Sequence, residues 1–147
     1  VDELAAIELA MNRIRRSQTR HSLAKRAGIQ NVDVVVLGVV DAVDQGPVAG
    51  ADEVSVREVA DRLGIDPSRG SRLASAAIEA GWVRRVASQA DGRRTGLVLT
   101  DSGVELVEEA HRTRQRHYDE LMTEWPAEDR AEFARLLLRF TESLESS

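Results

Sequence analysis

The sequence predicts a mainly α fold with one small β-hairpin, in which a helix pair and the hairpin are flanked by helices at both chain ends. Three observations carry this. Two capped helices joined by a four-residue turn can be read between Ser55 and Gly81, two short β-prone runs flank a polar loop between Trp82 and Leu99, and apolar residues recur at helical spacing in both terminal segments. A chain of 147 residues is one domain by length and large enough for a core. Aromatics make up only 3% of it, so that core must come from Val, Leu, Ile and Ala.

In chain order, Leu4, Ile7, Met11 and Ile14 repeat at heptad spacing on a helix expected from about Glu3 to Ser17. Its acids lie at the start and its arginines towards the end, as the helix dipole favours. The stripe must be covered, either within its own domain or across a dimer. Arg20 to Gly28 is a basic connection with room for a helical turn. From Val32 the composition is strand-like, yet Val32, Val35, Val36, Val39, Val40 and Val43 match the helix template, broadened by Val34 and Leu37. A buried central helix capped near Asn31 is expected, followed by a Gly- and Pro-containing loop from Gln45 to Asp52.

Ser55-Val56-Arg57-Glu58 has the form of a capping box, so a helix should start at Val56 and stop at Gly64. Asp66 as N-cap and Pro67 at the first helical position announce the next helix, which Gly81 ends. Leu73, Ala76, Ala77 and Ala80 form its expected inner stripe; Ser68, Arg69, Ser71, Arg72 and Ser75 form its outer side. Gly70 costs about 1 kcal/mol relative to Ala in a helix. A close approach to a phosphate or base accounts for it, and so does tight packing on the preceding helix. Trp82 to Val86 and Leu97 to Leu99 are the expected hairpin strands. Thr100 can cap a long helix reaching Trp125, with Val104, Val107, Ala110, Tyr118, Leu121 and Met122 as a broken stripe. Pro126 ends it or starts a terminal helix that carries Phe133, Leu136, Leu137, Phe140 and Leu144 on one face.

A helix pair across a tight turn is a helix-turn-helix pattern, whose second helix enters a DNA major groove, and a hairpin directly after it is a wing. Arginine pairs with guanine edges or phosphates, serine with either, and short side chains let a helix backbone approach closely. Arg84, Arg85, Arg93 and Arg94 put positive charge on the wing, which suits a narrow minor groove. The net charge of −5 is unevenly spread. Residues 54–100 carry eight arginines against five acids, a surplus of three, whereas residues 101–147 carry six arginines against twelve acids. Lys25 is the only lysine, so arginine abundance by itself is no argument for nucleic acid.

The absence of cysteine excludes disulfides and thiol redox sensing in this chain. No apolar run approaches 18 residues and no signal peptide is visible, while the start at Val1 implies a trimmed initiator or leader. A soluble cytoplasmic protein is expected. His111 and His117 point to different sides of one helix, which disfavours a metal site. There is no Gly-rich phosphate loop and no serine elbow, so neither an enzyme nor a cofactor is expected.

Asp91-Gly92-Arg93 followed by Leu99-Thr100-Asp101-Ser102-Gly103 resembles the D-x-R…L-T-x-x-G wing of the multiple antibiotic resistance regulator (MarR) family of winged-helix transcription factors. Further matches are Val59 to Gly64, Ser68 with Arg72, and Gly81 with Arg85; the departures are Trp82 for the usual Leu and Gly70 for a β-branched residue. The resemblance implies one domain over 1–147, with dimerisation helices at about 1–30 and 104–147 and a winged-helix DNA-binding lobe at about 31–103. It implies a homodimer on a pseudo-palindromic operator, acting as a repressor. Ser68, Arg69, Ser71, Arg72, Ser75, Arg85, Asp91, Arg93 and Arg94 are the expected DNA contacts. A small aromatic or phenolic effector is also implied, for which Met11, Arg15, His21 and His111 are candidate lining residues; ordinary surface and core roles for these four remain open. The alternative function is a winged-helix module that docks a protein partner.

Overall fold

Caps and apolar stripes divide the chain into α1 (Glu3–Arg20), α2 (Val34–Asp44), β1 (Val54–Ser55), α3 (Val56–Leu63), α4 (Pro67–Glu79), β2 (Val83–Ala87), β3 (Thr95–Leu99), α5 (Asp101–Leu121) and α6 (Ala127–Glu145). These come from a computed structural model that describes residues 2–20, 34–48, 50–51, 53–87 and 95–147. The described residues form two compact units, Val1–Arg112 and Thr113–Ser147.

The core of the first unit is built around α2. Its strand-like composition is helical, as the spacing of its valines requires, and Val36, Leu37, Val39, Val40, Ala42 and Val43 are all buried. Val35, expected on the same stripe, is instead exposed. Val32 and the expected cap Asn31 lie outside the described residues, as does the connection from His21 to Gly28. Around α2 pack Val54 of β1, Val59 of α3, Ala74 and Ala77 of α4, Val83 of β2, Leu97 of β3, and Leu106 and Val107 of α5. Helix α5 buries Gly103, Leu106, Val107 and Ala110, whereas Val104, Tyr118 and Leu121 of the expected stripe are exposed. The helix stops at Leu121, short of Trp125, and Pro126 precedes α6, its carbonyl accepting from the Arg130 amide at 3.1 Å.

The β-structure is larger than a hairpin. Beyond the β2–β3 pair, with Val83 opposite Leu99 and Ala87 opposite Thr95, the two residues of β1 pair antiparallel with β3, Val54 opposite Leu97. The result is a three-stranded sheet in the order β1-β3-β2. A strand of two residues carries no periodicity, which is why the sequence concealed it.

In the second unit, Arg130 pairs with Asp119 at 2.5 Å and the rings of Trp125 and Phe133 meet edge to face at 5.4 Å. These rings, with Pro126, Leu136 and the acids Glu124, Asp129 and Glu132, line an open cavity of about 440 Å³. No described helix is long and apolar enough to cross a membrane.

Candidate nucleic-acid interface

Ser55 caps α3, its hydroxyl accepting from the Glu58 amide at 3.1 Å. The Glu58 carboxylate oxygen Oε2, buried and without a hydrogen-bond partner, lies 4.0 Å from Arg62. Arg62 in turn donates to the Ala42 carbonyl at 2.7 Å, satisfying an acceptor at the end of α2 and tying α3 to it. Gly64 closes α3 in the left-handed region at φ 67°, where its amide bonds to Asp61 and that of Ile65 to Ala60, a Schellman ending. Three residues, Gly64 to Asp66, separate the helices, one fewer than expected.

Asp66 then caps α4 by accepting from the Arg69 amide at 2.9 Å, and Pro67 follows at the helix start. That amide, with support from the charge of Arg72, holds the Asp66 carboxyl below its usual range. Helix α4 buries Gly70, Ala74 and Ala77 and leaves Ser68, Arg69, Ser71, Arg72 and Ser75 exposed. Leu73 and Ala76 are half-buried; Ala80, expected inside, is exposed because it lies at the C-cap beyond the packed stripe. Gly70 faces the preceding helix: a Cβ there would sit 2.6 Å from the Ala60 Cβ. Of the two explanations for this glycine, packing on α3 is therefore the one the fold requires.

The helix ends through Gly81 at φ 84°, with the Gly81 amide on Ile78 and the Trp82 amide on Ala77. On β2, Arg84 and Arg85 are both exposed. Asp91, Arg93 and Arg94 lie outside the described residues. Arg57 is exposed on the first turn of α3; neither it nor Arg84 stands among the expected contacts. Arg84 was legible as one of the wing arginines, whereas Arg57 entered only through the charge count.

The candidate effector residues are less gathered. Met11 is half-buried and Arg15 exposed on α1, which packs extensively on no other described element. His21 lies outside the described residues. His111 places Nε2 3.1 Å from Asp44 Oδ2 at the end of α2, so its described contact is with that carboxylate. Among the described residues no cluster of three or more His, Asp or Glu is placed to hold a metal ion.

A capped helix pair, a tight turn and a two-stranded wing backed by a third short strand define a winged-helix protein. Residues 27–94 match the model of the MarR family. An uncharacterised helix-turn-helix-type transcriptional regulator, YxaD of Bacillus subtilis strain 168, is 27% identical over 88 residues, 60% of this chain and 62% of that protein. The match thus spans less than two thirds of that relative's length. The fold superposes on a MarR family protein from Bacillus stearothermophilus with a TM-score of 0.79 at 16% identity, covering 97% of this chain and 95% of that one. The PcaV transcriptional regulator from Streptomyces coelicolor, solved in complex with its natural ligand, gives a TM-score of 0.62 at 23% identity over 98% of both chains. The segment that matches the MarR family model is a little under half of the chain, and the fold over nearly its whole length is that of the solved MarR family proteins.

Proposed function

We propose that the protein is a cytoplasmic repressor that binds a pseudo-palindromic operator in double-stranded DNA as a homodimer, its 147 residues acting as one domain with dimerisation helices at both ends. The observation that carries the reading is the outer face of α4. Ser68, Arg69, Ser71, Arg72 and Ser75 are exposed together, opposite the buried stripe of Gly70, Ala74 and Ala77. This is a face of guanidinium and hydroxyl donors with few bulky side chains, suited to base edges and phosphates in a major groove. Exposed Arg84 and Arg85 extend the positive surface onto the wing, where Arg93 and Arg94 would meet a minor groove and Asp91 would orient Arg93 through a charge-assisted bond.

Sequencing the fragments that the purified protein selects from random duplex DNA tests this. A palindromic consensus whose affinity falls steeply with salt is expected. Salt-tolerant binding to a protein partner with no DNA retained would establish the interaction module instead. A small aromatic or phenolic effector is part of the proposal, supported by the ligand-bound PcaV structure. Met11, Arg15, His21 and His111 are its candidate contacts, with His111 having to exchange Asp44 for the ligand. Coupling at equilibrium is reciprocal, so operator DNA should weaken effector binding by the factor by which effector weakens operator binding. Calorimetric titrations in both orders measure the two factors, and unequal values would rule the scheme out.

A further inference from the structure

The corner where α4, both wing strands and α5 meet is held by one side chain. Thr100, directly after β3, donates its hydroxyl to the Gly81 carbonyl at 2.6 Å and accepts from the Gly103 amide at 3.0 Å with the same oxygen. Its own amide donates to the Trp82 carbonyl at 3.0 Å, continuing the β2–β3 ladder by one rung. Gly81 and Trp82 are the two residues that terminate α4. Gly103, one turn into α5, presses its Cα against the Trp82 backbone so closely that a Cβ would overlap the Trp82 carbonyl oxygen. The end of α4, the base of the wing and the start of α5 are therefore joined by the Thr100 hydroxyl, by its backbone amide and by the close approach at Gly103, and the hydroxyl is the one side-chain hydrogen bond among these links.

We propose that Thr100 is a positioning residue that sets the angle of α4 relative to the wing, and so decides whether helix and wing can engage one DNA site together. Capping α5 requires only that the hydroxyl accept a bond. Its donation to Gly81 does something else: it fixes the carbonyl at the pivot between α4 and β2, where Gly81 in the left-handed region lacks the Cβ that would restrict its rotation. Without that bond α4 and β2 remain formed but the angle between them is free to vary. Binding by α4 and binding by the wing then no longer add on the same duplex. The consequence for DNA rests on the proposed function; the consequence for geometry does not.

The test uses the full chain, whose lack of cysteine lets spin labels be placed at will. Labels go on Ser75→Cys and Ala87→Cys, exposed positions on α4 and β2, in protein diluted with unlabelled chain. The parent and Thr100→Ser should give one narrow distance distribution, and Thr100→Val, which keeps the shape and removes the hydroxyl, a broadened or shifted one. Ser55→Ala, which removes a cap elsewhere, controls for stability and should keep the parent distribution. On DNA at a temperature where all variants are folded, Thr100→Val should bind sites with A/T-rich flanks about tenfold more weakly, because the wing contributes there. The effect should be much smaller on G/C-rich flanks, and Thr100→Ser should restore the parent behaviour. A parent-like distance distribution in Thr100→Val overturns the proposal, as does an unchanged flank ratio accompanied only by a lower melting temperature. A parent that retains no DNA refutes the DNA-binding reading and leaves the label distances to decide the positioning.

Discussion

At Gly70 two opposing effects can be weighed. Ala in place of Gly would favour the helix by about 1 kcal/mol. The added Cβ would lie 2.6 Å from the Ala60 Cβ and 3.3 Å from its Cα, atoms fixed to the backbone of α3 that cannot turn away. Overpacking of that kind costs about 1–3 kcal/mol, so Gly70→Ala should be net destabilising. A urea midpoint equal to or above that of the parent would contradict this. The sequence shows that a glycine stands there and cannot show what presses on it, since the neighbour belongs to the other helix. Arg72 is the reverse case: its exposure on the outer face of α4 was legible from spacing alone, because caps at both ends fixed the helical phase. Arg72→Ala should weaken operator binding by about 1–3 kcal/mol for each base the guanidinium reads, and relax preference in the half-site core. Selection sequencing of the variant measures it; an unchanged consensus would exclude Arg72 as a base reader.

At the scale of elements, legibility followed local signals. The capping residues Ser55 and Asp66 and the stop residues Gly64 and Gly81 act within a few residues of themselves, and α3 and α4 begin and end where those signals place them. In α2, propensity and periodicity disagreed and periodicity won, because burial against several neighbouring elements outweighs the tenths of a kcal/mol by which valine disfavours a helix. Strand β1 was invisible because its pairing depends on β3, some forty residues away, where Gly96 lets the Glu53 side chain come close. The Asp66 cap also has a pH signature. A carboxyl whose folded pKa is depressed contributes stability above its unfolded pKa and loses it as pH falls through the folded value. The stability difference between the parent and Asp66→Ala should therefore be fully present at neutral pH and shrink below about pH 4. Urea unfolding of both proteins across that range measures it, and a difference constant down to about pH 3 would mean the cap acts without its charge.

For the whole molecule, the terminal helices pose the question that the first unit's core leaves open. Helix α6 has no buried residue, and Phe133, Leu136, Leu137, Phe140 and Leu144 are between 38% and 58% exposed. Helix α1 likewise leaves Leu4, Ile7 and Ile14 exposed. Helices in proteins draw most of their stability from packing an amphipathic face, and the sequence supplies an apolar stripe at helical spacing along most of α6. Fully burying a Leu or Phe side chain stabilises by about 1.5–3 kcal/mol, so covering the exposed half of these would contribute several kcal/mol, a sizeable share of a typical domain's net stability. A second copy is the simplest cover, because a two-fold axis presents the same stripes to each other. The stripes were legible from spacing; what covers them was not, because a partner leaves no local trace in one chain. We therefore expect an obligate homodimer. Replacing Leu136 and Phe140 with Glu should yield monomer or unfolded chain, whereas Leu138→Glu, at a position already 66% exposed, should be tolerated better. Light scattering at micromolar concentration decides: a parent mass of one chain would refute the dimer, and equal behaviour of Leu138→Glu and the double variant would show that the stripe is not the interface.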